Sequence, residues 1–369
     1  MKICFIGDGK SIHVKRWAGY FAERGHLVSL VSIREGEQLR GVEQVSLRPL
    51  QKENRLSFFV RLMDHFLSAR RFVWHMRPDI LHSHYANLPG WYGAFCNFHP
   101  FVLTLWGGDI LADQGAFKFP FSRRLTRWAM DKADLITVHS RFLRDAALQL
   151  GEVGGKIKRV HWGIDFSRFR PGMDVRRLRS ALGLGSGPVV LSMRIPHPIY
   201  NIDTIIKSIP LVRRHIPDVR LIVKDYLAEP TYMERLRGLV DRLRLRDAVT
   251  FAGEVPYDHI PLYLNTADVY VSVPSSDGMP VSLMEAMACG TAPVLSDLPQ
   301  YKEMIKEGEN GLYVPPRNEV ALSQALITVL RDQGLRERIV ENNVKKIREM
   351  GDFKSEMGKM EGYYRELLE

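Results

Sequence analysis

Short apolar runs alternate with longer amphipathic ones along the whole chain. The first run, KICFIG at 2–7, is almost continuously apolar and closes on glycine. KSIHVKRWAGYFAERG at 10–25 follows, with apolar residues at helical spacing up to Gly25, and then a second apolar run, HLVSLVS at 26–32. Aliphatic and β-branched runs without polar alternation suit strands buried on both faces, and such strands separated by helices predict a parallel sheet. The order continues through DILHSHY (79–85), FVLTLW (101–106) and ADLITVHS (133–140). It breaks at 165–188, DFSRFRPGMDVRRLRSALGLGSGP, with Gly and Pro toward both ends. It restarts with VVLSMR (189–194), VRLIVKD (219–225), AVTFAG (248–253), ADVYVSV (267–273), TAPVLSD (291–297) and GLYVP (311–315). Segments such as YNIDTIIKSIPLVRRH (200–215) and PTYMERLRGLVDRLRL (230–245) read as the intervening helices. Two such series predict an α/β protein of two facing, Rossmann-like, doubly wound domains with a cleft between them. The expected division is 1–168 and 169–350, with the terminal helix at 351–369 packing back on the first domain.

Composition changes this picture little. A length of 369 residues, 45% hydrophobic and 25% charged, suits two ordinary cores without repeats or low-complexity tracts. The opening run lacks a cleavage-site pattern and reads as a first strand rather than a signal peptide. No apolar stretch approaches the roughly 20 residues that span a bilayer. Cys4, Cys96 and Cys289 are odd in number and far apart, which argues against a disulfide framework and for a reducing cytoplasm.

Charge adds more. Residues 1–168 hold 25 Lys/Arg against 15 Asp/Glu, whereas 169–369 hold 27 of each, so the net +10 resides entirely in the first half. An anionic partner near that half is expected. Phe58, Phe59, Leu62, Met63, Phe66, Phe72 and Trp74 are interleaved there with Lys52, Arg55, Arg61, Arg70, Arg71 and Arg77, and FKFPFSRRLTRW repeats the theme. This pattern fits a membrane surface carrying anionic lipid, or a helix with its apolar face in the core and a solvated basic face. The charge is not clustered on a nucleic-acid-binding motif.

Ligands of doubly wound sheets sit beyond the carboxyl ends of the strands, so the loops from strand to helix hold the candidate chemistry. The most informative is SVPSSDGMPVSLMEAMACG at 272–290. Asp277 and Gly278 form a turn, Pro280 suits a first helical position, and Gly290 stops the helix. The amides of Gly278, Met279 and Val281 would point outward as donors for an anion, with Asp277 beside them and Glu285 inside the helix. The alternative is a capping Asp and a solvated Glu.

This segment resembles the signature of family 4 glycosyltransferases of the GT-B fold: Glu, seven residues, Glu, then Ala-Met-Ala-x-Gly. DGMPVSLMEAMACG matches it with Asp277 in place of the first Glu. GHLVSLVS, ILHSHY, FVLTLWGGDIL, ADLITVHS, VHWGIDFSRFRPG, VTFAGEVPYDHIPLYLNTADVYVSVPS and ENGLYVPP are similar to further family segments in the same order. The resemblance implies transfer of a sugar from a nucleoside diphosphate sugar with retained anomeric configuration. It implies no cofactor and generally no bound metal. No Asp-x-Asp pair offers a divalent-metal clamp. The first domain would bind the acceptor and the second the donor. Glu285 would hold the ribose, Asp277 and the loop of Gly278, Met279, Pro280 and Val281 the donor sugar, through the amides other than that of Pro280, and Arg194 the leaving diphosphate. Glu254 and Val255 would flank the base.

The chain departs from the family pattern at several points. Tyr200 stands where the family has a Lys, and Lys224, at a position commonly Gly, either supplies the missing charge or is a surface lysine. Trp106 stands where the family often has His, with Asp109 retained as a catalytic candidate. Trp cannot accept a proton, so a histidine base there is excluded, and the leaving phosphate would take the acceptor proton. Trp106 either packs on a sugar or lipid face or belongs to the core. In the first loop, GDGKSIH, Gly7 and Gly9 permit close backbone approach. Gly9 and Lys10 are expected near donor phosphates, and Ser11 and His13 near the acceptor. A plain tight turn is the alternative, and a dinucleotide fingerprint is weaker for lack of Gly-x-Gly-x-x-Gly. His82 and His84 share a strand face, as packed residues or a metal pair lacking a third ligand. A non-catalytic sugar-nucleotide-binding protein and a nucleotide-sugar epimerase on the same fold are the alternative functions.

Overall fold

The structure is a computed structural model that describes residues 1–47, 55–117, 121–226 and 228–369; the side chains of Arg55 and Leu56 are not described. Lys52, the Arg55 side chain and residues 118–120 of the second basic-aromatic segment therefore lie outside the described residues. Two compact units form. Unit 1 comprises Met1–Trp162 with Lys354–Glu369, and unit 2 is Gly163–Phe353.

Unit 1 holds β1 (Lys2–Gly7), β2 (Leu27–Ser32), β3 (Val42–Ser46), β4 (Ile80–His84), β5 (Phe101–Thr104), β6 (Leu135–Val138) and β7 (Ile157–Arg159). All pairs are parallel, in the order β3-β2-β1-β4-β5-β6-β7. Its helices are α1 (Ile12–Glu23), α2 (Arg55–Met76), α3 (Leu88–Cys96), α4 (Ser122–Lys132) and α5 (Arg141–Leu150). β4, β5 and β6 are buried at every position, as continuous apolar runs require in a sheet covered on both faces. Cys4, Ile6, Leu81, Leu103 and Ile136 pack with Ala69, Val73 and Tyr92 in one core. The sequence runs do not announce β3 and β7. Both are edge strands with mostly accessible side chains, so they carry no apolar run.

The C-terminal helix (Phe353–Glu366) completes unit 1. Met357, Met360 and Tyr364 are buried beneath it, Glu356 accepts the His161 amide at 2.8 Å, and Glu361 pairs with Arg24 at 2.9 Å. The Tyr364 hydroxyl meets His82 Nδ1 at 2.5 Å, and His82 Nε2 meets Thr104 Oγ1 at 2.6 Å.

Unit 2 holds β8 (Val189–Ser192), β9 (Arg220–Val223), β10 (Val249–Phe251), β11 (Val269–Ser272), β12 (Ala292–Ser296) and β13 (Leu312–Val314), all parallel, in the order β10-β9-β8-β11-β12-β13. Its helices are α6 (Arg176–Ala181), α7 (Ile202–Arg213), α8 (Pro230–Arg242), α9 (Ile260–Thr266), α10 (Val281–Ala288), α11 (Glu319–Arg331) and α12 (Gln333–Glu349). Val190, Leu221, Val271 and Val294 pack against Ile205, Ile209, Leu236 and Leu326.

The three cysteines are free and buried, and burial pushes each thiol up to about 12. No described helix is long and apolar enough to cross a membrane.

Candidate functional site

In unit 2 the strand order reverses between β8 and β11: the chain runs from β8 outward to β10, then returns to β11 on the other side. Ligand crevices of open α/β sheets form at such a switch point. Arg194 follows β8 by two residues, and Asp277 lies in the loop joining β11 to α10. Their side chains form an ion pair at 2.9 Å, with only 12% and 8% of their surface exposed. Asp277 Oδ1 also accepts the Gly278 amide at 2.9 Å, Oδ2 accepts the Tyr301 hydroxyl at 2.6 Å, and the Asp277 carbonyl accepts Gln300 Nε2 at 2.6 Å. Both carboxylate oxygens thus have protein partners. The guanidinium carbon of Arg194 lies 4.1 Å from the Tyr200 ring centroid, a cation–π stack. Burial is the largest influence on Arg194 and opposes its charge, but the Asp277 carboxylate together with Tyr200, Tyr301 and Tyr270 outweighs it, so the guanidinium pKa is raised. Burial, reinforced by Asp277, pushes the Tyr301 phenol well above its usual range.

Pro280 is the residue that caps α10 rather than its first helical residue, and Val281 begins the helix. The Gly278 amide, expected to face outward, turns to Asp277 instead. Among the described residues the Met279 and Val281 amides have no acceptor. They form the open donor pair at this helix N-terminus. Glu285 lies in the second turn of α10, 5% exposed, and accepts the Tyr257 hydroxyl at 3.2 Å. Tyr257 is steadied by Phe169, with ring centroids 5.6 Å apart, and by the Arg168 guanidinium 5.4 Å from its ring.

Lys224 follows β9, and its amide donates to the Ser192 carbonyl at the end of β8 at 3.0 Å. Burial lowers the pKa of its ammonium; the carboxylates of Glu285 and Glu254 act against that, and Arg194 adds to it. Glu254, beyond β10, is exposed, and Val255 is buried.

In unit 1 the first loop is tight for reasons within the protein. The Gly9 amide donates to Ser32 Oγ at 2.7 Å, and a Cβ on Gly9 would meet that oxygen at 2.5 Å. Gly36 lies so close that its own Cβ would meet the Gly9 carbonyl oxygen at 2.4 Å. The close backbone approach read from Gly9 is therefore to β2 and the following loop. The Lys10 amide donates to Asp8 Oδ1 at 3.0 Å, its side chain is exposed, and Ser11 precedes α1 without a side-chain cap.

His13 and Trp106 do meet, with ring centroids 5.3 Å apart, and Trp162 lies 4.8 Å from His13 and 4.9 Å from Trp106. Trp106 also packs on His84 and Tyr85. Asp109, fully buried, accepts the amides of Ala86, Gly107 and Trp106 at 2.7, 2.7 and 3.1 Å. It organises the loop that carries Trp106. Burial raises its pKa against the lowering effect of those bonds. His82 has both ring nitrogens engaged, which rules out the metal-pair alternative, and His84 stacks on it at 4.5 Å. Burial keeps these imidazoles neutral: His84 is pushed down to about 3, His139 to about 4, and His82 well below its usual range.

Residues 176–346 match the family described as Glycosyl transferases group 1, and residues 2–140 match Glycosyl transferase 4-like. The first match contains Arg194, Lys224, Asp277 and Glu285 together. The first match lies in unit 2 and the second in unit 1, and both families are glycosyl transferases. A GDP-mannose-dependent alpha-(1-6)-phosphatidylinositol monomannoside mannosyltransferase of Mycolicibacterium smegmatis is 27% identical over 221 residues. That alignment spans 58% of this chain and 57% of the relative, little more than half its length. A phosphatidyl-myo-inositol mannosyltransferase of Mycobacterium tuberculosis is 26% identical over 352 residues, covering 91% of this chain and 87% of the relative. Among solved structures, sucrose-phosphate synthase from Thermosynechococcus elongatus superposes with a TM-score of 0.86 at 20% identity, over 100% of this chain and 99% of that one. Anabaena HepE in complex with UDP and glucose superposes at 0.83 and 20% identity, over 100% of both chains. At such identity the likeness shows the GT-B fold.

Set against the family signature, unit 2 brings together Arg194, Asp277 and Tyr200 by direct contact, with Lys224, Glu285 and Glu254 on neighbouring strand and helix ends. Three members escape a reading of the sequence: Tyr301, Gln300 and Tyr257. The first two lie in a short 3-10 turn at Pro299–Glu303 that reads as a polar connection. Only the apolar-sized Tyr301 within it hints at burial.

Proposed function

We propose that this glycosyl transferase moves a hexose from a nucleoside diphosphate sugar to a glycan or lipid-linked acceptor in cell-envelope polysaccharide or glycolipid synthesis. Configuration at the anomeric carbon is retained, and no metal or cofactor takes part. The observation that carries this reading is the grouping of Arg194, Lys224 and the open amides of Met279 and Val281 at one strand edge, beside the buried acid Glu285. Cations and amides at a helix N-terminus suit a diphosphate, and a fixed carboxylate suits the paired hydroxyls of a ribose. The named complexes and relatives support a uridine or guanosine donor.

In the reaction the bond from the anomeric carbon to the phosphate oxygen breaks. The acceptor hydroxyl oxygen bonds to that carbon on the same face, and its proton passes to the departing phosphate. Arg194, Lys224 and the α10 amides stabilise the charge that develops there. Incubation with UDP-glucose and with GDP-mannose should release the nucleoside diphosphate from at least one, faster with an acceptor. The anomeric proton coupling of the product should match that of the donor. Release from neither donor, or an inverted product, contradicts the reading.

Unit 1 supplies the acceptor side in this reading, through Ser11, His13 and Trp106. A peripheral contact with anionic membrane on the cytoplasmic face accompanies it. α2 divides its apolar residues: Leu62, Phe66 and Phe72 pack on the core, whereas Phe59, Val60, Met63, Leu67 and Trp74 are exposed, Phe59 at 61%. Residues 59, 63, 67 and 74 lie along one helix stripe, with Arg70 and Arg71 exposed beside them. α3 packs against both α2 and α4, and exposed Phe121 and Leu125 at α4 are accompanied by Arg123, Arg124 and Arg127. Vesicles containing anionic lipid should pellet the protein at low salt and release it at high salt. No pelleting at low salt contradicts the contact.

A further inference from the structure

The carboxyl edge of the unit 2 sheet carries charged residues on adjacent strands. Following the order β10-β9-β8-β11, they include Glu254, Lys224, Arg194 and Asp277, so two cations stand side by side; Asp225, next to Lys224, is taken up by the Gly253 amide and by Arg237. The two cations are not equivalent. Arg194 is paired with Asp277 at 2.9 Å and stacked on Tyr200, so its charge is largely balanced within the protein. The Lys224 ammonium makes no hydrogen bond or ion pair with any described residue, although it is partly buried. The nearby Glu285 is held by the Tyr257 hydroxyl rather than by Lys224. A partly buried cation without a partner costs folding stability and is retained where a ligand supplies the counter-charge. The backbone bond from Lys224 to Ser192 fixes the lysine one strand spacing from the Arg194 segment, about 4.8 Å across the ladder. That is within reach of the two phosphates of one diphosphate.

We propose that Lys224 is the cation that grips the distal phosphate of the nucleoside diphosphate in unit 2, while Arg194 is held in place by Asp277. This rests on the donor-site reading above. In this chain Tyr200 serves as a platform for Arg194, and the second positive charge comes from the neighbouring strand.

Calorimetric titration of the wild type with UDP, GDP, UMP and GMP, repeated with Lys224→Met and Lys224→Arg, tests it. For the base that binds, Lys224→Met should weaken the diphosphate at least about tenfold and the monophosphate less than about threefold. Lys224→Arg should keep most of the affinity. Without ligand, Lys224→Met should melt at the same temperature as wild type or higher, because an unpartnered charge is removed. Equal losses for mono- and diphosphate, or no loss, would overturn the assignment, as would a lower melting temperature without ligand. If the wild type binds none of the four nucleotides, the donor-site reading itself fails, a distinct result.

Discussion

Asp277→Ala is expected to destabilise unit 2 by about 3–5 kcal/mol, the usual cost of removing one member of a buried, hydrogen-bonded ion pair. The substitution leaves the Arg194 guanidinium buried without its counter-charge and the Tyr301 hydroxyl, now 2.6 Å from the carboxylate, without its acceptor. A loss of that size is a large part of the roughly 5–15 kcal/mol that holds a typical domain folded. Asp277→Glu restores the residue of the family signature, yet it inserts a methylene into contacts of 2.6 and 2.9 Å. It should cost about 1–3 kcal/mol through overpacking. Tyr301→Phe removes one hydrogen bond to the same carboxylate and should cost about 1–3 kcal/mol, since the bond is to a charged group. Urea unfolding of the three variants checks the series. An Asp277→Ala variant within 1 kcal/mol of wild type would mean that the pair does not hold this loop.

The series also bears on function. The Asp277 carboxylate already receives Arg194, the Gly278 amide and Tyr301. Its role in the structure is to place Arg194. A sugar hydroxyl would have to share or displace one of those partners.

The sequence makes the architecture legible because most strands are central. A strand covered on both faces is written as an uninterrupted apolar run, and β1, β4, β8, β11 and β12 all read that way. β3 and β7 do not, because an edge strand exposes part of its surface. The donor loop is legible for a similar reason: Asp277, Pro280, Glu285 and Gly290 are local to one strand-turn-helix unit. What encloses them is not local. Arg194 reaches Asp277 across 83 residues, Tyr301 lies 24 residues beyond it, and Tyr257 lies 28 before Glu285. In unit 1 the need for Gly9 comes from Ser32 and Gly36, and the partner of His82 is Tyr364, 282 residues away. No periodicity or spacing along the chain records such pairings; they follow from which strand ends the sheet order places side by side.

Glu285 carries the nucleotide reading. The residue is 5% exposed, its carboxylate is positioned by α10 and by Tyr257, and it lies near the Lys224 ammonium at the strand edge. Two hydrogen bonds from ribose hydroxyls to a charged acceptor, each worth about 1.5–3 kcal/mol, place the expected loss on their removal at about 100-fold or more. Glu285→Gln preserves shape and the contact with Tyr257 while removing the charge, so the fold should be kept. The most direct measurement is therefore calorimetric titration of UDP and GDP into wild type and Glu285→Gln at matched melting temperature. At least one nucleotide should bind the wild type and lose about 100-fold or more in the variant; binding of neither, or equal affinity for both proteins, would contradict a nucleotide-sugar site built on Glu285.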